Sequence, residues 1–112
     1  MKTTRLLAGL VFGAIGGLGL TLYATEPHPS ELFQEYCAKC HGDDGKAQTP
    51  RGKQLSARDF TDAEWQAGEK DEELIEAVTE GKDDMPPWGK KLTREQIESL
   101  VKHDVRGFAK KE

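Results

Sequence analysis

Large apolar side chains are scarce in most of this chain. Of its 112 residues, those from 25 to 112 include only 19 apolar residues larger than alanine. The same 88 residues carry 34 charges, 14 basic and 20 acidic. So few apolar side chains bury too little surface to offset the conformational entropy of the chain. We therefore expect a small domain whose core is completed by a disulfide, a metal, a cofactor or a partner.

Two further absences limit the fold and the partners. No segment alternates between apolar and polar residues over the length of a strand, so the sequence predicts an all-α fold. A basic excess is also missing, since the formal net charge is −4. Because nucleic-acid binding requires a basic surface, we expect no nucleic-acid partner.

Charged residues are missing from residues 6–24, which are almost entirely apolar or glycine. Lys2 and Arg5 precede this hydrophobic helix, and the pattern is typical of an export signal. Its 19 residues would span roughly 28 Å as a helix, so an uncleaved membrane anchor fits as well. Both alternatives, a signal peptide or an anchor within residues 1–24, stay open. Both place the rest of the chain in the periplasm or on the outer side of the cytoplasmic membrane, soluble if the segment is cleaved and anchored if it is not.

Residues 25–29 are predicted to form a linker, and residues 30–112 the folded domain. About three main helices are expected, joined by long loops that include the mostly irregular residues 46–68, with one short helical turn at 63–66. Ser30 is the predicted N-cap of the first helix, which ends near Cys40. The second helix is predicted to run from Asp71 to Gly81, and the last to begin at a capping box on Thr93. Each helix has one apolar face. These faces are Leu32, Phe33 and Tyr36 in the first helix, Leu74, Ile75 and Val78 in the second, and Ile97, Leu100, Val101, Val105 and Phe108 in the last.

The two cysteines lie in the segment Cys37-Ala38-Lys39-Cys40-His41. This C-x-x-C-H spacing is the attachment signature of a c-type haem. On a helix, residues three and four apart share a face, so two thiols can join the two vinyl groups while the histidine ligates the iron. We predict one covalent haem c, with thioether bonds to Cys37 and Cys40 and with His41 as an iron ligand. Its apolar macrocycle would supply the missing core.

A redox dithiol, a zinc site and a structural disulfide each fit the cysteine pair less well. A thioredoxin-like dithiol is accompanied by strand–helix units, which this sequence lacks. A zinc site needs more ligands, and His28 and His103 do not stand at ligand-like spacing. A disulfide between residues three apart would close a loop too short to add much stability.

Met85 is the predicted second axial ligand of the iron. It is the only methionine after Met1, and it precedes Pro86-Pro87 in a segment that cannot be helical. A proline-stiffened loop could hold a thioether against the iron, whereas His28 and His103 are better explained as surface histidines. Ligation by His41 and Met85 favours reduced iron and raises the reduction potential. With both faces of the haem occupied, we expect electron transfer and not enzymatic catalysis.

From Ser30 to Phe108, the chain resembles class I cytochromes c. The similarity rests on three stretches, 37–46, 81–88 and 92–106, which contain the C-x-x-C-H segment, the methionine loop and the last helix. It implies a small cytochrome c fold in which the first and last helices cross, with Cys37 and Cys40 as thioether residues, His41 as proximal ligand and Met85 as distal ligand. The haem edge would be exposed for electron exchange. Candidate residues of the haem pocket, chosen as apolar residues between the two ligand segments, are Leu55, Phe60, Leu74, Ile75 and Trp88.

One departure from the family concerns the helix crossing. Class I members usually carry an aromatic residue on the last helix there, whereas Asp104 lies on or beside the apolar face of this one. Either the helix register differs slightly, or Phe108 and Tyr36 take over that packing.

The predicted function is electron transfer between membrane redox complexes and redox proteins, with an oxidase, reductase or dehydrogenase as partner. A second hypothesis is a haem subunit fixed in an oxidase or dehydrogenase complex, with residues 6–24 as the anchor. A third is a haem-based sensor or catalyst in which Met85 is a labile ligand. The sequence does not identify the electron donor or acceptor.

Charge is distributed unevenly along the chain. Residues 59–84 carry eleven acidic and two basic groups, whereas residues 39–58 and 85–112, which contain the two iron ligands, carry more basic than acidic ones. We therefore expect a basic or neutral surface around the exposed haem edge, with the second helix forming an acidic back. Such an arrangement would orient the protein on an acidic docking site.

Overall fold

The computed structural model of the protein describes residues 29–109. The predicted signal or anchor in residues 1–24 lies outside the described residues, as does most of the predicted linker. Within the described range, no helix is both long enough and apolar enough to cross a membrane.

Regular secondary structure in residues 29–109 is helical, apart from one isolated β-bridge between Lys82 and Met85. The predicted all-α class is confirmed, although the first and last predicted helices are each divided into shorter pieces. The elements are α1 (Glu31–Tyr36), α2 (Ala38–His41), α3 (Pro50–Leu55), α4 (Ala63–Gly68), α5 (Asp71–Glu80), α6 (Arg94–Ser99), a π-helical turn (Leu100–Val105) and α7 (Arg106–Phe108).

The first predicted helix corresponds to α1 and α2. Ser30 caps it as predicted, because its side chain accepts a hydrogen bond from the backbone N–H of Phe33 at 3.2 Å. A bend at Cys37 separates α1 from α2. Helix α2 ends at His41, and the next residue, Gly42, has a φ of 80°. The two cysteines and the histidine therefore lie on one short helical segment.

Helix α3 was not expected from the sequence, which predicted a mostly irregular segment there. Thr49 caps this helix by accepting a hydrogen bond from Gly52 N–H at 2.9 Å, and Pro50 occupies its first turn. A capping threonine followed by proline is a recognised start signal, so the sequence did contain the information. The short helical turn predicted at 63–66 is confirmed as α4.

The other predicted helix boundaries are confirmed. Helix α5 begins at Asp71 and ends before Gly81, which has a φ of 83°. Thr93 and Gln96 form the expected capping box of α6. The predicted apolar faces are buried, except that Leu32 and Tyr36 are only partly buried. The core consists of Phe33, Phe60, Leu74, Ile75, Val78, Leu92, Ile97, Leu100, Val101, Val105 and Phe108.

The helix crossing is organised by the π-helical turn. Arg106 N–H donates to the carbonyl of Val101, five residues earlier, so the turn holds one residue more than an α-helical turn. Asp104 consequently faces inward and is only 4% exposed. Both predicted alternatives contribute to the crossing, the first through the local change of register that the π-helical turn produces. Phe108 also packs against Phe33, with ring centroids 5.2 Å apart.

Asp104 joins the two ends of the domain. Its carboxylate accepts hydrogen bonds from the backbone N–H of Ser30 at 2.8 Å and from the Ser30 hydroxyl at 2.7 Å. Tyr36, the other residue predicted to pack there, is partly buried against the core, and its ring lies 5.5 Å from that of Trp88. A polar link therefore stands beside the aromatic packing.

Replacing Asp104 with alanine should destabilise the haem-bearing protein by about 2 to 3 kcal/mol, because a charged acceptor is lost and the Ser30 donors are left unpaired. Guanidinium unfolding followed by circular dichroism would measure the change. Glu35→Ala, which removes an exposed carboxylate from α1, is the matched control and should change the free energy by less than about 0.5 kcal/mol. Equal effects of the two substitutions would show that the Ser30–Asp104 link contributes nothing.

A second polar cluster fixes α4 and α5 to the last helix. The Arg106 guanidinium donates to the Asp71 carboxylate at 2.8 Å and to the side-chain oxygen of Gln66 at 2.9 Å. The Gln66 amide in turn donates to the carbonyls of Phe60 and Val105 at 2.8 and 2.7 Å. These contacts position α5 as one wall of the cavity described next.

Candidate haem-binding site

A cavity of about 490 Å³ lies between α2, the segment 55–58, α4, α5 and the loop that follows α5. Its lining includes all four residues that the sequence singled out for haem attachment and iron ligation: Cys37, Cys40, His41 and Met85. Its volume lies within the usual range of cofactor pockets. The fold therefore brings together residues that are separated by up to 48 positions in the sequence.

His41 is buried in the wall of this cavity. Its Nδ1 lies 3.0 Å from the carbonyl oxygen of Arg58, so Nδ1–H donates this bond and Nε2 is left as the ligating nitrogen. The Phe60 ring stacks on the imidazole with centroids 4.2 Å apart. Burial lowers the pKa of His41, and the hydrogen bond to Arg58 opposes this only in part. The side chain is thus a fixed, neutral imidazole, the form that binds iron.

The burial of His41 predicts how stability depends on pH. Burial lowers the pKa of His41 in the folded protein, and a proton on Nε2 would also exclude the iron from that nitrogen. The unfolded state therefore takes up the proton first as the pH falls. The stability of the haem-bearing protein should therefore decrease below about pH 6.5, the ordinary histidine pKa. Guanidinium midpoints at about pH 8 and about pH 5 would measure this decrease. The double variant His28→Gln/His103→Gln should retain it, and its disappearance there would assign the effect to those histidines.

Cys37 and Cys40 are not joined by a disulfide within residues 29–109. Burial raises the pKa of Cys37 to about 12, and the charges of Asp104 and Cys40 act in the same direction. The cysteines of redox dithiols and zinc sites react as thiolates, which a lowered pKa favours. Within residues 29–109, moreover, no group of three or more His, Cys, Asp or Glu side chains is arranged to hold a metal ion. A redox dithiol and a zinc site therefore gain no support.

Met85 lies on the loop between α5 and α6, which is fixed at both ends. Lys82 and Met85 exchange two backbone hydrogen bonds, at 3.1 and 2.9 Å. Further along, Trp88 N–H donates to the carbonyl of Val78 and Gly89 N–H to that of Thr79, at 2.9 and 3.0 Å. The first part of the loop is therefore held by the Lys82–Met85 pair, and its last part is attached to the end of α5. The half-buried side chain of Met85 lines the cavity.

Four of the five predicted pocket residues lie in the wall of this cavity. Leu55, Phe60, Leu74 and Trp88 line the cavity. Ile75 does not line it, because it faces the protein core and is only 1% exposed. The apolar lining residues that the prediction missed are Tyr36, Ala57, Trp65, Ala77, Val78, Pro86, Val101 and Val105.

Helical spacing could have revealed part of this missed set. Ala77 and Val78 stand three and four positions after Leu74 and so share its face of α5. Of the two histidines considered as alternative iron ligands, only His103 lies within residues 29–109. His103 is exposed and does not line the cavity, and His28 lies outside the described residues.

The charge around the cavity differs from the prediction. The charged residues that line it are four acidic side chains, Glu69, Glu73, Asp83 and Asp84, and two basic ones, Arg58 and Lys82. The prediction of a basic or neutral surface around the haem edge is therefore wrong. Its error lies in the position of α5, which forms a wall of the cavity instead of the back of the protein.

The residues present fit a c-type haem. Two thiols three positions apart, a fixed imidazole and a thioether surround one largely apolar cavity. Every buried side-chain nitrogen and oxygen in residues 29–109 has a hydrogen-bond partner, so the cavity walls require no additional polar ligand. This donor set is that of a His/Met cytochrome c.

Comparison with known proteins agrees with this geometry. Residues 24–103 match the family described as cytochrome C oxidase, cbb3-type, subunit III. The chain belongs to this family. The predicted relationship to class I cytochromes c is confirmed, and membership implies iron in a covalently bound haem c.

Curated relatives carry the same family designation in their names. The cbb3-type cytochrome c oxidase subunit FixP of Azorhizobium caulinodans is 32% identical over 73 residues, which are 64% of this chain and 24% of that protein. Subunit CcoP of Azospirillum brasilense is 30% identical over 71 residues, or 62% of this chain and 24% of that protein. The chain thus spans about a quarter of the length of these relatives.

One solved structure is more similar to this chain than the curated relatives just named, and the match covers almost all of that structure's own length. The KustC0563 c-type cytochrome is 45% identical with a TM-score of 0.68, and the match covers 74% of this chain and 99% of that one. A mutant of the same cytochrome is 49% identical with a TM-score of 0.63, over 69% of this chain and 93% of that one. The chain described above therefore shares its fold with KustC0563, a small c-type cytochrome.

Proposed function

We propose that this cytochrome transfers electrons through a single haem c held by Cys37, Cys40, His41 and Met85. The observation that carries the proposal is the presence of all four side chains in one cavity. Cys37 and Cys40 would form the thioether bonds, His41 would be the proximal ligand and Met85 the distal one. When bound, the haem supplies one-electron exchange between ferrous and ferric iron.

The protein side chains fix the cofactor and exclude water from it. The hydrogen bond from His41 to the Arg58 carbonyl orients the imidazole, and the backbone hydrogen bonds around Met85 limit the movement of its loop. Phe60, Leu74 and Trp88 form apolar walls, which favour the less charged, reduced state. With His41 and Met85 both engaged, no open position remains for a substrate, so we propose a carrier and not an enzyme.

We further propose that the cytochrome works as a tethered haem subunit of a membrane oxidase complex on the periplasmic side. The names of the curated relatives, FixP and CcoP subunits of cbb3-type oxidases, favour this hypothesis over a freely diffusing carrier. Residues 6–24 would be the anchor. The chain matches only 24% of the length of those relatives. The oxidase partner is therefore inferred only from the one domain that they share with this chain.

The first part of the proposal is tested on the exported, haem-bearing protein. The ratio of haem to polypeptide should be one, and the protein should exchange one electron reversibly with a redox mediator. Rapid binding of carbon monoxide to the ferrous protein would contradict the carrier function, because it requires a labile Met85, and would support a sensor or catalyst.

The tethering proposal is tested in membranes of the source organism. After mild detergent extraction, the cytochrome should migrate with oxygen-reducing activity, and N-terminal sequencing should find the chain intact from Met1 or Thr3. Recovery in the soluble periplasmic fraction with residues 1–24 removed would overturn tethering and favour the diffusing carrier.

A further inference from the structure

We propose that the mouth of the cavity is a docking surface for a redox protein whose own docking face is rich in lysine and arginine. This inference rests on the proposed electron-transfer function and adds the chemistry of the partner. We call Glu69, Glu73, Asp83 and Asp84 the acidic mouth, because all four line the cavity. Glu73, Asp83 and Asp84 are exposed, and Glu69 is half-buried.

The carboxylates of the acidic mouth are not neutralised within the protein. In residues 29–109, the ion pairs join Arg94 to Glu72 and Glu98, and Arg106 to Asp71. None of these pairs includes a member of the acidic mouth. Of the two cations that line the same cavity, Arg58 lies over the Trp65 ring, 5.8 Å from its centroid. The acidic mouth therefore presents unpaired negative charge to solvent.

The negative surface extends beyond the mouth. The outer face of α5 adds the exposed side chains of Glu72, Glu76 and Glu80, and α4 adds Asp62 and Glu64. Together, residues 59–84 have eleven acidic and two basic groups. A surface of one sign around a cleft attracts partners of the opposite sign over distances of about a Debye length, which is roughly 10 Å at moderate ionic strength.

An apolar patch adjoins the acidic mouth. Pro86 and Pro87 are exposed beside Met85, and Trp88 is half-buried next to them. Protein interfaces commonly place such apolar contacts at the centre and charged residues at the rim. Transient redox encounters are small and depend on charge for orientation. A cationic protein surface therefore complements this face, whereas anionic membranes and nucleic acids are repelled by it.

The test compares two variants of equal net charge. Glu69→Gln/Glu73→Gln removes two charges from the acidic mouth, at residues that are not proposed to attach the haem or ligate the iron. Glu35→Gln/Glu95→Gln removes two exposed carboxylates from α1 and α6. The reduced, haem-bearing proteins are oxidised in stopped-flow experiments by a trivalent cation, tris(phenanthroline)cobalt(III), or by a trivalent anion, hexacyanoferrate(III), at several salt concentrations.

At low salt, the mouth variant should react with the cationic oxidant about tenfold more slowly than the control variant, since each nearby charge contributes a factor of about three. The difference should disappear at high salt. With the anionic oxidant, the mouth variant should be the faster of the two. A lysine decapeptide should inhibit oxidation of the control by the cationic oxidant more than that of the mouth variant.

The outcomes separate the two proposals. Equal rates for the two variants would mean that only net charge matters, and would overturn the docking surface while leaving electron transfer intact. Stronger inhibition by a glutamate decapeptide than by the lysine peptide would also overturn it. Failure of the wild-type protein to reduce either oxidant would instead contradict the proposed electron-transfer function.

Discussion

Replacing Met85 with alanine should lower the reduction potential of the haem-bearing protein by on the order of 100 mV. A thioether ligand favours ferrous over ferric iron. If it prefers ferrous iron by about a hundredfold, its removal costs about 120 mV, because each tenfold difference corresponds to about 59 mV for one electron. The substitution also opens the distal side of the cavity, so the ferrous variant should bind carbon monoxide where the wild type does not.

The structure supports this prediction and supplies its control. The Met85 loop is attached to α5 by backbone hydrogen bonds, none of which depends on the methionine side chain. The loop should therefore keep its course in Met85→Ala. Pro87→Ala changes an exposed residue of the same loop and should leave the potential within about 20 mV of the wild-type value, which is less than a threefold change in the ligand preference. Redox titration with visible spectra measures both variants.

An unchanged potential and spectrum in Met85→Ala would show that another group is the distal ligand. His103 is exposed and does not line the cavity, and His28 lies outside the described residues. Combining Met85→Ala with His28→Gln would then identify the ligand. An equal shift in Pro87→Ala would instead assign the effect to the loop conformation.

Local signals made much of this fold predictable. The caps at Ser30 and Thr93 depend on side chains that bond to backbone groups three residues away, so the sequence contains the whole interaction. The apolar face of α5 follows from helical spacing in the same way. The C-x-x-C-H segment is equally local, because one helical segment holds both thiols and the histidine.

Features that depend on distant contacts were not predictable. The hydrogen bonds from Ser30 to Asp104 join residues 74 positions apart, and the π-helical turn beside them has no signal in the spacing of the apolar residues. On the apolar face of α5, Ile75 packs in the core, whereas Leu74 lines the cavity. This division depends on where Met85 and α2 lie. The charge of the cavity mouth was mispredicted for the same reason, since it follows from the placement of α5.

Gly52→Ala should have the largest effect on stability among single methyl additions. A Cβ at Gly52 would clash with the carbonyl oxygen of Cys40 and stand 2.9 Å from that of Ala47. Both neighbours are backbone atoms, so no side chain can rotate away. Helix α3 must then move off α2, at a cost of about 3 kcal/mol or more.

The site of this contact connects stability with haem binding. The Thr49 hydroxyl donates to the same Cys40 carbonyl at 2.9 Å and accepts from Gly52 N–H, so the start of α3 is fixed directly to the C-x-x-C-H segment. Displacing α3 would move Cys40 and His41 relative to Met85. We therefore expect a lower yield of haem-bearing protein as well as a lower guanidinium midpoint for whatever protein is recovered.

Gly107→Ala is the matched control, because a Cβ there has no neighbour within 4 Å. In a helix, alanine is favoured over glycine by up to about 1 kcal/mol, so this variant should be as stable as the wild type or slightly more stable. If Gly52→Ala does not accumulate, Thr49→Ala removes both hydrogen bonds without the clash and should cost about 1 to 2 kcal/mol. Normal haem incorporation and wild-type stability in Gly52→Ala would show that α3 does not hold the attachment segment in place.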